Sequence, residues 1–158
     1  MQKTATSIIG IFLILFVFID SALAGDIMNI DGVVNEKQIE LDLLEDKSSQ
    51  LTISEILESR FPVTVQGPLD IAFSKSSFWG RFKLINTTNK SKTMYLAVMP
   101  FGIDNLDLYI KNEDGTYVKK QVGRQVPKTL DTSSHYQPTI KFEVSPGTHA
   151  FYLRIVSG

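Results

Sequence analysis

Aromatic and basic side chains alternate with apolar ones along two segments of the sequence. In Phe78–Leu84, Trp79 and Arg81 alternate with apolar residues, and near the C-terminus Tyr152 and Arg154 alternate with a second apolar set. Successive side chains of a β-strand point to opposite faces, so each segment has one apolar face and one aromatic and basic face. Guanidinium groups bond hydroxyls and carboxylates, and aromatic rings offer flat faces to sugar rings. We therefore predict a ligand-binding surface formed by Trp79, Arg81, Tyr109, Tyr152 and Arg154.

A structural role for the same side chains is the competing interpretation. In this interpretation the N-terminal part of the chain covers Trp79 and Tyr152, and the two arginines form ion pairs with acidic residues of the sheet. The acidic candidates are Asp70, Asp107 and Glu143. Both interpretations place the aromatic and basic faces in one sheet, but only the first leaves the rings open to a ligand.

Residue types suited to catalysis or metal binding are present only in scattered form. The two histidines, His135 and His149, lack the His-x-x-x-His or Glu-x-x-His spacing of zinc and iron sites, and there is no cysteine. The run from Asp131 to His135 holds an aspartate, two serines and a histidine, but adjacent loop residues do not easily converge on one nucleophile with an oxyanion hole. We predict no catalytic residues, no metal, no cofactor and no enzymatic activity.

The overall charge excludes nucleic acid as a partner. The chain has 16 basic and 17 acidic residues, which are dispersed along it and leave a net charge of −1. Nucleic-acid-binding domains carry a basic patch or stripe, and none is visible here. The expected partner is a small molecule, with carbohydrate as one class.

Residues 1–24 have the pattern of a secretory signal peptide. Lys3 supplies a positive charge, an apolar run extends from Ile8 to Ile19, and Ala22-Leu23-Ala24 is the small-x-small pattern that signal peptidase accepts. The apolar run is shorter than the roughly 20 residues that cross a bilayer. We expect cleavage after Ala24, and the lack of disulfides fits export by a bacterium to the periplasm or the extracytoplasmic face of the membrane.

Short alternating segments separated by turns predict an all-β fold for one domain, residues 25–158. Thr52 and Glu55 form a predicted capping box for one short helical turn, which Pro62 ends. Asp114-Gly115 predicts a tight hairpin, and Ser145-Pro146-Gly147 predicts a second one. We predict an antiparallel two-sheet sandwich of the jelly-roll type. The predicted strands are 39–43, 69–73, 78–86, 93–100, 105–111, 117–122, 140–144 and 149–156.

The segment from Ser77 to Asn86 resembles a characteristic strand, aromatic-Trp-x-Arg-Phe-x-Leu-x-Asn. This strand belongs to the type 2 extracellular domain of bacterial seven-transmembrane receptors with diverse intracellular signalling modules. Further matches follow in the same order along the chain: an acidic turn before Leu51–Glu55, the segment Leu106–Tyr109, and Ser145–Gly147 followed by Tyr152–Ser157. One position departs from the pattern, because the family prefers a larger apolar residue where this chain has Gly80.

The resemblance covers residues 39–157 and implies a periplasmic jelly-roll sensor domain that is similar to carbohydrate-binding modules. It further implies a small ligand, carbohydrate being the usual expectation, and signalling through membrane helices to a kinase or cyclase output. Such a receptor would enter a membrane helix soon after Gly158, so we expect either an isolated ectodomain or a free periplasmic relative. Two alternatives remain: a secreted carbohydrate-binding module, and a periplasmic protein-interaction domain without a small ligand.

Overall fold

Nine strands and one short helix make up the part of the chain that the computed structural model describes, residues 27–32, 38–66, 74–97, 103–127 and 139–157. The predicted signal peptide, the predicted strand 69–73 and residues 128–138 of the predicted loop lie outside these residues. The elements are β1 (Ile27–Asn29), β2 (Glu40–Asp46), α1 (Ile53–Leu57), β3 (Val63–Gln66), β4 (Ser77–Asn86), β5 (Lys92–Ala97), β6 (Asn105–Lys111), β7 (Tyr117–Val122), β8 (Thr139–Val144) and β9 (Gly147–Val156).

Two sheets form the fold. The large sheet has the strand order β3-β2-β4-β9-β6-β7, and β1 adds to it by pairing with β4 in parallel. The second sheet consists, within the described residues, of the antiparallel pair β5 and β8. One edge of β4 serves two neighbours, because β2 pairs with its first half and β1 with residues Lys83–Ile85. The predicted all-β, two-sheet sandwich with one short helix is therefore confirmed.

The apolar faces of β4 and β9 form the core together with β8 of the second sheet. The Phe82 and Phe151 rings stack at 5.2 Å between centroids, and Phe142 of β8 meets Phe151 edge-on at 5.1 Å. Each fully buried side chain of this type contributes about 1.5–3 kcal/mol. The contact between Phe142 and Phe151 therefore joins the two sheets at their centre.

The last two strands do not form the predicted hairpin. β8 pairs with β5, whereas β9 inserts between β4 and β6 in the large sheet. Gly147, with φ of 105°, lies at the junction, where the chain crosses from one sheet to the other. Because both strands have an apolar face, placing them in opposing sheets buries the two faces against each other, which a hairpin within one sheet would not do.

Gly80, the position that departs from the family pattern, lies directly against Leu41 of β2. A Cβ atom on Gly80 would be 2.8 Å from Leu41 Cδ1, closer than carbon atoms pack. Leu41 is itself buried in the core. The neighbouring strand thus supplies the apolar volume that a larger side chain would supply from β4.

Asp31 attaches β1 to the turn between β4 and β5. Its Oδ1 accepts a hydrogen bond from Lys92 Nζ at 2.7 Å, and its Oδ2 accepts from the backbone N–H of Thr87 at 2.8 Å and from the Thr87 hydroxyl. The bonds from Lys92 and Thr87 lower the pKa of Asp31 from 3.8 to about 2. The ionised carboxylate therefore stabilises the attachment of β1.

We expect Asp31→Asn to destabilise the protein at neutral pH and to have progressively less effect in acid. Because the folded-state pKa lies below the unfolded value, the stabilisation is present above about pH 4 and is lost as the pH falls towards about 2. Urea unfolding of both proteins from pH 7 to pH 2.5 measures this difference. Glu113→Gln, on an exposed turn, is the control. A difference that stays constant with pH would contradict the role of the charge.

Gly123→Ala is expected to destabilise the fold more than Gly115→Ala. Both glycines have positive φ, 146° and 86°, which disfavours any side chain. At Gly115, in the predicted β6–β7 hairpin turn, a Cβ meets nothing within 4 Å, so we expect a loss of about 1–2 kcal/mol. At Gly123 the Cβ would overlap the backbone carbonyl of Asp104. Equal losses in chemical denaturation would exclude this clash as a determinant of stability.

Candidate functional site

The structure brings the five predicted site residues to one face of the large sheet, the face directed away from the core, which we call the outer face. In the pairing of β4 with β9, Trp79 lies opposite Arg154 and Arg81 lies opposite Tyr152. In the pairing of β9 with β6, Tyr152 lies opposite Tyr109. Alternation along the strands therefore placed these side chains correctly with respect to one another.

Residues 47–61, which we call the cover segment, lie across part of the outer face. Ile56 of α1 and Phe61 pack against Trp79 and Tyr152 in a second apolar cluster. Trp79 and Ile56 have no exposed surface, and Tyr152 is 8% exposed. This arrangement is the one expected from a structural role for the rings, and direct ligand binding by Trp79 and Tyr152 stays a prediction.

Asp46, at the end of β2, fixes the path of the cover segment. Its two oxygens accept hydrogen bonds from the backbone N–H groups of Ser48 at 3.0 Å and Leu51 at 2.9 Å, and from the Ser77 hydroxyl at 3.2 Å. Burial alone would raise the pKa of Asp46, but these bonds outweigh burial and the pKa is lowered. The charged carboxylate thus ties the start of the cover segment to β4.

The predicted capping box begins α1 inside the cover segment. Thr52 N donates to Glu55 Oε2 at 2.7 Å, and Glu55 N donates to Thr52 Oγ1 at 3.5 Å. The bonds from the backbone and then the side chain of Thr52 lower the pKa of Glu55. The capped turn presents Ile56 to the sheet, since this residue is the buried one in the helix.

Arg81 has a structural partner that differs from the predicted acids. Its Nε and Nη2 donate to Asp42 Oδ2 at 3.1 and 2.8 Å, and Asp42 Oδ1 accepts from the Thr64 hydroxyl at 2.9 Å. The guanidinium carbon of Arg81 also lies 4.7 Å from the centre of the Phe61 ring. Arg81 therefore positions the end of the cover segment.

Arg154 has a different kind of partner from Arg81. Its Nη2 donates to the backbone carbonyl of Ser49 at 2.8 Å, while its buried Nε has no acceptor in the described part of the chain. Asp107 lies opposite Arg154 in the pairing of β9 with β6, but its oxygens accept from Gln121 Nε2 at 2.7 Å and pair with Lys119 Nζ at 3.8 Å. Among the described residues, Arg154 forms no salt bridge.

The outer face remains partly exposed beside the cover segment, at Tyr109, Tyr117 and Lys119, which we call the open margin. The Tyr109 ring lies 5.4 Å from Trp79, and Tyr117 meets Tyr152 edge-on at 6.0 Å. Burial raises the pKa of both margin tyrosines, and for Tyr109 the charge of Asp107 adds to the effect. Both tyrosines therefore remain neutral hydroxyls at physiological pH.

Sequence reasoning included Tyr109 but missed the contribution of β7. Tyr117, Lys119 and Gln121 face the same side as Tyr109 because of the pairing of β6 with β7. The tight turn at Asp114-Gly115 could have revealed this, since a short turn fixes the register of the strands that it joins.

No group of three acidic, histidine or cysteine side chains that could hold a metal ion occurs in the described residues. His149 lies near the turn between β8 and β9, where its Nε2 is 3.0 Å from the Ser145 carbonyl oxygen. His135 and the run that begins at Asp131 lie outside the described residues. The chemistry that the outer face offers is therefore hydrogen bonding, ionic contact and ring stacking.

The family described as 7TMR-DISM extracellular 2 matches residues 38–158, which include β2 to β9 and both parts of the outer face. The chain belongs to this family. Membership identifies it as an extracellular sensor domain of a receptor, located outside the cytoplasm, and indicates a role without catalysis. A comparison with curated proteins gives no match. In the described part of this 7TMR-DISM extracellular domain, no helix has the length and apolarity needed to cross a membrane.

We expect Trp79→Ala to lower the free energy of unfolding by about 3–5 kcal/mol, because it removes a fully buried indole and leaves a cavity under the cover segment. Tyr95→Ala is the matched control, since Tyr95 is 62% exposed on β5 and should change stability by about 0.5 kcal/mol or less. Urea denaturation followed by circular dichroism measures both. Similar, small effects of the two substitutions would show that the second apolar cluster does not stabilise the fold.

Proposed function

We propose that this 7TMR-DISM extracellular domain is the periplasmic ligand-binding sensor of a bacterial membrane signalling receptor, and that it binds a small ligand, carbohydrate or another polar molecule, on the outer face. One observation supports the location most directly. Tyr109 of the open margin packs on Trp79, which lies opposite Arg154 in the pairing of β4 with β9, and Arg154 has no acidic partner among the described residues. Aromatic rings next to convergent polar groups are typical of small-molecule sites.

The open margin has the groups that a hydroxylated ligand needs. Tyr109 and Tyr117 offer ring faces for the apolar side of a sugar and neutral hydroxyls for hydrogen bonds. Lys119, with 41% of its side chain exposed, donates to hydroxyl or carboxylate oxygens. These three side chains are the direct contacts in the proposed site.

Trp79, Tyr152 and Arg81 have supporting roles in the proposed site. Trp79 supports the ring of Tyr109, and Tyr152 supports Tyr117. Arg81 holds Phe61 of the cover segment. Ligand contact with Trp79, Tyr152 or Arg154 requires the cover segment to shift, which gives the domain two arrangements that a ligand can distinguish.

A membrane signalling module is the proposed receiver of this change. A ligand shifts an equilibrium between two arrangements only by the difference in its affinity for them. Contacts with sheet residues that the cover segment occupies, such as Arg154, provide such a difference, whereas contacts with the open margin alone would not.

A thermal-shift screen of the purified protein against sugars, organic acids and short peptides tests the proposal. A ligand present at 100 times its dissociation constant adds about 2.7 kcal/mol to stability, which raises the midpoint by several degrees. We expect at least one small molecule to do so. If none of them stabilises the protein, the small-ligand function is wrong and a protein-interaction role takes its place.

Two variants locate the site once a ligand is found. Tyr117→Ala removes a ring of the open margin and should weaken binding at least about tenfold, a loss of about 1.4 kcal/mol. Tyr95→Ala removes an exposed ring from the other sheet and should leave the affinity unchanged. Equal affinities of the two variants would place the ligand elsewhere on the domain.

A further inference from the structure

We propose that the ligand of the outer face carries a carboxylate, and that Arg154 and Trp79 bind this group at the edge of the cover segment. The inference rests on the proposed ligand-binding function and adds the chemical class of the ligand. Among the described residues, Nε of Arg154 and Nε1 of Trp79 are buried donors without acceptors, and these two atoms carry the inference.

The edge of the guanidinium formed by Nε and Nη2 binds a carboxylate at two other arginines of this chain. Arg81 directs both atoms to Asp42 Oδ2 at 3.1 and 2.8 Å, and Arg124 directs both to Asp104 Oδ1. At Arg154, Nη2 donates to a backbone carbonyl, and the described residues offer no acceptor to Nε. The planar fork matches the two oxygens of a carboxylate, so Arg154 is suited to the group that its two counterparts already hold.

The charge around Arg154 favours an anion over a neutral acceptor. Asp107, which lies opposite Arg154 in the pairing of β9 with β6, is engaged by Lys119 and Gln121, and no salt bridge joins it to Arg154. A partly buried positive charge without a counter-ion is unfavourable, because burial removes hydration that only an opposite charge replaces well. A ligand carboxylate supplies the missing negative charge as well as an acceptor, whereas a neutral hydroxyl supplies only an acceptor.

Trp79 supplies the second donor. Its side chain has no exposed surface, yet no described residue accepts a hydrogen bond from its Nε1–H. Trp79 and Arg154 face each other across the pairing of β4 with β9, so their side chains leave the same face as neighbours. A carboxylate has about four acceptor positions on its two oxygens, enough for the Arg154 edge and the indole together.

Entry of the carboxylate requires the cover segment to move at Ser49. The Ser49 carbonyl accepts from Arg154 Nη2, and the Ser49 hydroxyl donates to the Lys75 carbonyl at 3.0 Å. Ser49 has φ of 55°, in the left-handed region that residues with a side chain rarely adopt. The ligand carboxylate replaces the Ser49 carbonyl on Nη2, and release of Ser49 removes an unfavourable backbone conformation.

Matched pairs of an acid and its neutral amide test the proposal on the purified protein. D-glucuronate is compared with D-glucuronamide, and succinate with succinamide, at constant ionic strength. Trp79 is the single tryptophan of the chain, so its fluorescence reports directly on the site. We expect at least one acid to shift the emission to longer wavelength, because Nε1 gains an acceptor, and to raise the melting temperature. The corresponding amide should bind at least about tenfold more weakly.

Substitutions assign the effect to the two donors. Arg154→Gln should weaken binding of the acid at least about tenfold, whereas Arg124→Gln, which removes an exposed arginine paired with Asp104, should leave it unchanged. Trp79→Phe retains a ring but lacks the N–H, and in a thermal-shift titration it should also bind the acid more weakly. Circular dichroism checks that each variant is folded.

The outcomes separate this inference from the proposed function. Equal binding of acid and amide, or full binding of the acid by Arg154→Gln, overturns the carboxylate proposal while a ligand site remains. Stabilisation by neutral sugars but by none of the acids also overturns the carboxylate proposal and leaves the ligand site. Failure of every small molecule to bind removes both the carboxylate proposal and the small-ligand function.

Discussion

The pairing of β4 with β9 is the constraint on which both faces of the large sheet depend. It extends over ten residue pairs, from Ser77 opposite Val156 to Asn86 opposite Gly147. A slip of one residue in either strand would exchange its two faces. The stacked pair Phe82 and Phe151 in the core and the neighbouring pair Trp79 and Arg154 on the outer face are therefore fixed together, because they belong to the same register.

The cover segment adds a second apolar cluster, in which two unsatisfied donors oppose the burial of apolar side chains. Burial of Ile56 and Phe61 stabilises the closed arrangement by about 1.5–3 kcal/mol each. Against this, the buried N–H groups of Trp79 and Arg154 lack acceptors among the described residues, and each such group costs about 1–3 kcal/mol. A ligand that satisfies the two donors removes this unfavourable contribution and therefore changes the stability of the segment that covers them.

Local pattern was sufficient where neighbours in sequence decide the structure. Alternation placed Trp79 and Arg154 on one face, and the Thr52 to Glu55 spacing gave the start of α1. The predicted hairpin of the last two strands was wrong. Whether these strands pair with each other or lie in opposing sheets depends on the contact between Phe142 and Phe151, which no local sequence pattern indicates. The covering of Trp79 and Tyr152 was an alternative that the sequence left open, because the path of the cover segment depends on hydrogen bonds that Asp46 accepts from Ser77 and from the segment itself.

The moving part of a sensor built in this way is the cover segment rather than the sheet. β9 carries Arg154 but lies between β4 and β6, paired on both sides, so a shift of this strand would break two ladders. The cover segment meets Arg154 through one hydrogen bond, from Nη2 to the Ser49 carbonyl. A ligand that competes for this bond has different affinities for the closed and displaced arrangements, which is the condition for shifting their populations. In the proposed sensor, recognition and switching therefore depend on the same guanidinium edge.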